Sequence, residues 1–65
     1  MAEMIKAKDM KVGKWYEAYG MRVECLGTMC EGKYMLVAID GDRDMQSQEG
    51  WPLDKDVMPI ENPYK

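Results

Sequence analysis

The sequence predicts a small, mainly β protein: a five-stranded antiparallel SH3-like barrel with one short helical turn before the last strand. Three observations carry that expectation. Met21 to Asp42 holds two apolar runs joined by Glu31-Gly32-Lys33 and closed by Asp40-Gly41, the pattern of two adjacent antiparallel strands. Gly27 interrupts the first run, and a glycine inside a strand pattern marks a bulge or sharp bend, which a small barrel needs to curl one strand through both of its sheets. Strand-favouring segments punctuated by turn residues flank this unit on both sides.

Taken in order, Met1 to Met10 is ambiguous. Its Ala, Glu, Lys and Met favour helix, but Ile5-Lys6-Ala7-Lys8-Asp9 alternates like a short strand, which is preferred because a turn and another strand follow. Asp9-Met10-Lys11-Val12-Gly13 supplies an Asp to hydrogen-bond the backbone ahead and a Gly for a positive φ. Lys14 to Tyr19 is rich in strand-favouring aromatics, and Tyr19-Gly20 turns the chain. Met21, Val23 and Cys25 then alternate with Arg22 and Glu24 as in a half-buried strand, continuing towards Glu31. Tyr34 to Ile39 is apolar on both faces and marks the most buried strand. Asp40-Gly41-Asp42 makes a tight turn into a polar strand, Arg43 to Glu49. Gly50-Trp51-Pro52 breaks the pattern, Leu53 to Asp56 suits one helical turn, and Val57 to Ile60 is a short last strand that Pro59 confines to an edge. The order is four strands, a helical turn and a short fifth strand, with residues 1–60 as one domain and residues 61–65 as a tail.

The segment Lys6 to Gly27 (KAKDMKVGKWYEAYGMRVECLG) resembles the opening of the KOW-like N-terminal domain of elongation factor P and its relatives. There too an Asp-hydrophobe-Lys/Arg-x-Gly turn precedes two strands separated by a glycine turn. The resemblance implies the small-barrel fold. That family presents a lysine in a Pro-Gly-Lys-Gly loop, and the nearest position here, Lys33 in Glu31-Gly32-Lys33, lacks the proline and the second glycine. The ribosomal function of the family is therefore not carried over.

Composition narrows the function. A 65-residue chain has a marginal core, and its apolar area comes from eight Met, four Tyr and two Trp with no Phe. The net charge of −3 argues against non-specific nucleic-acid binding and against attraction to an anionic membrane. The first residues, MAEMIKAKDMK, place acids and lysines where a signal peptide has an apolar run, and no stretch has the length of a membrane span, so a cytoplasmic location is expected. Cys25 and Cys30 on one extended strand lie on the order of 16 Å apart, too far for a disulfide, and free buried thiols suit a reducing compartment. With no His, and with Ser47, Cys25 and Cys30 lacking a partner base, an enzyme is not expected, nor is a cofactor. Asp40, Asp42 and Asp44 alternate like the first ligands of a calcium loop, but Met45 and Trp51 stand where that loop needs Gly and Glu, so no metal is assigned.

Two surfaces remain. Residues 40–56 carry six acids against Arg43 and Lys55, a local charge of −4 that suits a basic partner surface. Trp15, Tyr16, Tyr19, Trp51 and Tyr64 exceed what so small a core buries, so Tyr16, Tyr19 and Trp51 are expected to form one patch beside Asp40, Asp42 and Asp44. The expected function is non-catalytic protein binding, with the size and charge of an inhibitor or adaptor of the kind bacteriophages encode against host enzymes. One alternative is an RNA- or ribosome-associated barrel using Lys6, Lys8, Lys11, Lys14, Trp15 and Lys33. Another is a homo-oligomeric structural component, favoured by the marginal core and the polar strand.

Overall fold

The computed structural model describes residues 3–64; Met1, Ala2 and Lys65 lie outside the described residues. Six strands form: β1 (Ile5–Lys6), β2 (Trp15–Ala18), β3 (Met21–Met29), β4 (Tyr34–Ile39), β5 (Gln48–Pro52) and β6 (Asp56–Ile60). They make one antiparallel sheet in the order β1-β6-β2-β3-β4-β5. The mainly antiparallel β architecture is as expected. The count is six rather than five; the N-terminal strand preferred from the alternation forms as Ile5–Lys6, paired with Val57 and Asp56. The sheet is open, with no ladder joining β1 to β5 among the described residues.

Turn chemistry shapes the hairpins. Tyr19 and Gly20 link β2 to β3 with φ values of 56° and 74°, a two-residue left-handed turn whose twist matches that of the strands. Asp40 and Gly41 end β4 in the same way at 54° and 77°, with the Asp42 N–H donating to the Ile39 carbonyl at 3.0 Å. Within β3 the register passes from Cys25↔Val37 to Gly27↔Leu36, so Leu26 is the extra residue of a bulge at the place the glycine marked.

Beyond Asp42 the expected elements change. The strand expected over Arg43 to Glu49 is present only at its last two residues; a 3-10 turn spans Met45–Ser47 and β5 begins at Gln48. The Asp42 carboxylate accepts the Asp44 N–H at 3.0 Å and the Ser47 hydroxyl at 3.1 Å, giving this stretch a local alternative to a ladder. Trp51-Pro52 ends β5 instead of breaking it, and Leu53 to Asp56 holds no helical turn. It is a tight turn closed by the Lys55 N–H on the Pro52 carbonyl at 3.1 Å. A second 3-10 turn occupies Ala7–Asp9, within the ambiguous N-terminal stretch.

Although no ladder closes it, the sheet curls. The Ala7–Asp9 turn follows β1 at one edge yet packs on β4 and β5 at the other. Its Ala7 and Lys8 amides donate to the Lys55 and Leu53 carbonyls at 2.8 and 3.0 Å. The concave side encloses Val23, Cys25, Met35, Val37, Trp51 and Val57. Each core valine removed from water contributes about 1.5–3 kcal/mol. Trp15 and Ala38 are also buried but lie outside this cluster. Both align with Glu24, one residue out of step with Val23 and Cys25, so strand alternation puts them on the opposite face.

Gly41 lets the turn after β4 pack directly on Trp15. A Cβ there would lie 2.8 Å from Cη2 of Trp15, on top of a positive φ of 77°. Gly32, in the hairpin loop, has a similar φ of 82° but nothing within 4 Å of its missing Cβ. Gly41→Ala is expected to cost about 2–4 kcal/mol in urea unfolding, against about 1–2 kcal/mol for Gly32→Ala. Equal losses would mean that the Trp15 contact contributes nothing.

Candidate functional site

The three aspartates of the acidic turn do different work. Asp40 accepts the Tyr64 hydroxyl at 3.1 Å, and Asp42 holds the following turn through Asp44 N–H and Ser47 Oγ. The side chain of Asp44 makes no hydrogen bond among the described residues and is exposed. Gln48 Nε2 donates to the Arg43 carbonyl at 2.7 Å, so the loop is fastened at both ends by its own side chains. No group of three or more His, Cys, Asp or Glu is positioned to share a cation among the described residues.

Cations near this loop are drawn elsewhere. Arg43 reaches Glu24 at 3.3 Å, and Lys6 pairs with Asp56 at 2.6 Å, which raises the Lys6 pKa through that hydrogen bond and the carboxylate charge. The Lys55 ammonium lies over the ring of Tyr19, 2.8 Å from its centroid, and 5.2 Å from that of Trp51. Asp42, Asp44, Glu49 and Asp54 have no ion-pair partner among the described residues. Glu49, exposed on β5, accepts the Trp51 indole N–H at 3.4 Å and is held beside the edge of the sheet.

The aromatic patch is less exposed than the sequence suggests. Tyr16 is 4% and Trp51 3% exposed, both in the concave core, and the Tyr16 hydroxyl accepts the Lys11 N–H at 2.9 Å. Tyr19 alone of the three stands out, 76% exposed, with its ring edge-to-face against Trp51 at 6.1 Å. Composition could not resolve this, because every other position of β2 and β5 faces the core and one register assigns all of them at once.

Trp15 is 6% exposed beneath Tyr64, whose ring lies 5.5 Å away, and the Arg22 guanidinium is 5.8 Å from the Tyr64 ring centroid. The indole face is thus not free for a base to stack on. A shallow cleft beside it is lined by Gly13, Lys14, Trp15, Ile60, Glu61 and Asn62. Lys8, Lys11 and Lys14 are exposed, whereas Lys33 sits in the β3–β4 hairpin loop past the Met29↔Tyr34 pair, four residues along β3 from Cys25, which bonds Lys14. Residues 61–64 do not form a free tail, since Tyr64 closes over Trp15 and reaches Asp40. An aromatic directly after Asn62-Pro63 was the available signal.

Cys25 and Cys30 are both free, Cys25 buried and Cys30 exposed in the hairpin loop. Burial pushes the Cys25 thiol above its ordinary pKa. The folded state therefore keeps that proton longer, so its contribution to stability is intact below the ordinary thiol pKa and is lost as pH rises through the folded value. A thiol reagent is expected to label Cys30 alone in the native protein, read by mass. The loss of melting temperature on going from about pH 8 to 10, across the thiol range, should be smaller in Cys25→Ala. Native labelling of both thiols would contradict the burial of Cys25.

No helix among the described residues is long and apolar enough to cross a membrane. Comparison with protein-family models, with characterised proteins and with solved structures finds no match to this chain, so its functional reading rests on the geometry above.

Proposed function

We propose that the chain is a non-catalytic protein-binding module, an inhibitor or adaptor built on an incompletely closed small barrel of the SH3-like kind, whose contact surface is the acidic border of β5. One observation carries this reading: Asp42, Asp44, Glu49 and Asp54 lie without ion-pair partners around one strand, while the neighbouring cations Arg43 and Lys55 are turned to Glu24 and Tyr19. A field of one sign steers a basic partner and raises the rate of encounter. Tyr19 extends the surface as its exposed aromatic, with Lys55 across its ring. RNA binding is the weaker reading, because Trp15 is covered by Tyr64 and Lys6 is paired with Asp56.

Asp44 and Asp54 are the informative positions to change, since neither carboxylate holds a hydrogen bond among the described residues. Affinity capture with the tagged domain is expected to retain one stoichiometric protein that survives nuclease. Asp44→Lys with Asp54→Lys should weaken that retention by about 10-fold or more with the melting temperature unchanged. Lys11→Glu with Lys14→Glu should leave it intact. A nuclease-sensitive set of ribosomal proteins, lost in the Lys11/Lys14 variant, would reverse the assignment.

A further inference from the structure

The hydrogen-bond parity of the sheet shows which backbone groups β5 leaves open. Cys25 donates its N–H to the Lys14 carbonyl at 3.0 Å and accepts the Gly13 N–H at 2.9 Å, so both its polar groups face the β2 side. A residue that spends both groups on one neighbour is the close, unbonded partner on the other side of an antiparallel sheet. Cys25↔Val37 is that unbonded pair, which turns the Val37 groups to β5 and makes Val37↔Glu49 a bonded pair. Alternation then aims the N–H and C=O of Gln48, Gly50 and Pro52 away from β4. Three facts agree with this parity: Pro52 has no N–H to strand, its carbonyl takes the Lys55 N–H, and the Gln48 N–H is used by Met45. What remains without a partner among the described residues is the Gln48 carbonyl and both groups of Gly50.

The two sides of the sheet are guarded differently. Beyond β1, which reaches only Val57, the exposed side of β6 carries Pro59. At β5 the exposed position is Gly50, with no side chain to obstruct an incoming strand. Its missing Cβ also leaves room for Met29, whose sulfur would lie 2.7 Å from a Cβ there, with Tyr34 alongside.

We infer that β5 accepts an extended basic segment of a partner protein as a seventh, antiparallel strand centred on Gly50. The proposal rests on the protein-binding reading above and gives it a mode. The guest residue opposite Gly50 exchanges two hydrogen bonds with it and packs on Met29. The guest residue after it faces Glu49 across a close pair, where a Lys or Arg side chain meets the carboxylate. Two residues further, on the same face, a second cation lies opposite Ser47, whose amide donates to the Asp44 carbonyl at 2.8 Å. The next guest amide after Glu49 donates to the Gln48 carbonyl. Charge selects this occupant over a second copy, because β5–β5 pairing would bring two borders of the same −4 segment together.

The test is amide hydrogen exchange by NMR on the full chain at low salt, with the peptide acetyl-Thr-Val-Lys-Val-Lys-Thr-amide, whose first valine is to face Gly50. Saturating peptide is expected to slow exchange of the Gly50 amide by about 10-fold or more. That protection should vanish when the first valine is N-methylated and when both lysines become glutamates. Binding that leaves the Gly50 amide unprotected and ignores N-methylation would overturn strand addition while leaving the acidic-surface reading in place. Gly50 protection that grows with protein concentration without peptide would overturn it in favour of a second copy. Absence of any binding would overturn it as well, and nuclease-resistant capture would then decide the broader reading by itself.

Discussion

A six-stranded sheet in a chain this short covers its own core only if it bends, and the bend sits in β3. The extra residue at Leu26 lets nine residues of one strand change direction between Cys25 and Gly27. Because β3 pairs with β2 before the bulge and with β4 throughout, that change rotates one half of the sheet over the other. The Ala7–Asp9 turn, carried by the edge at β1, then reaches β4 and β5 and donates two amides to the turn after β5. Without the bulge, Val57 and Trp51 would belong to distant ends of a flat sheet instead of one cluster.

Curling serves the concave face and leaves the convex one to be covered by other means. Trp15 and Ala38 are buried there by short pieces of chain rather than by a second layer. The Asp40-Gly41 turn comes up against the indole, and Tyr64 lies across it with its hydroxyl on Asp40 and Arg22 above its ring. Desolvation and then the Asp40 hydrogen bond lift the Tyr64 hydroxyl above its ordinary pKa, as befits a phenol packed beside a carboxylate. A small protein gains core from both sides of one sheet in this way, and Gly41 is the residue that makes the approach possible.

The same economy explains the uneven electrostatics. Lysines and arginines near the acidic segment are engaged in local contacts: Lys6 with Asp56, Arg43 with Glu24, Lys55 on Tyr19. Exposed pairs of this kind contribute little to stability. None of these cations pairs with Asp42, Asp44, Glu49 or Asp54 among the described residues, and those four acids face solvent. The acidic surface is thus a product of where the cations are held as much as of the number of acids.

The sequence by itself determined the local geometry. Tyr19-Gly20 and Asp40-Gly41 specify left-handed turns, Gly27 marks the bulge, and the alternation in Met21 to Cys25 and the apolar run Tyr34 to Ile39 define the central hairpin, because each of these preferences acts over two to six neighbouring residues. Only the tertiary structure decided the rest. The strand expected over Ile5 to Asp9 is cut to Ile5–Lys6, the two residues that β6 is there to pair with, and the one expected over Arg43 to Glu49 is delayed to Gln48, with Asp42 holding the Asp44 amide and the Ser47 hydroxyl before it. Tyr16 and Trp51 went inside by strand register, while Tyr19 stands outside in the β2–β3 turn, and composition encodes neither placement. The open groups of Gly50 follow from a parity passed strand to strand from Lys14 through Cys25 and Val37, a relation among residues far apart in the chain that exists only once the sheet is assembled.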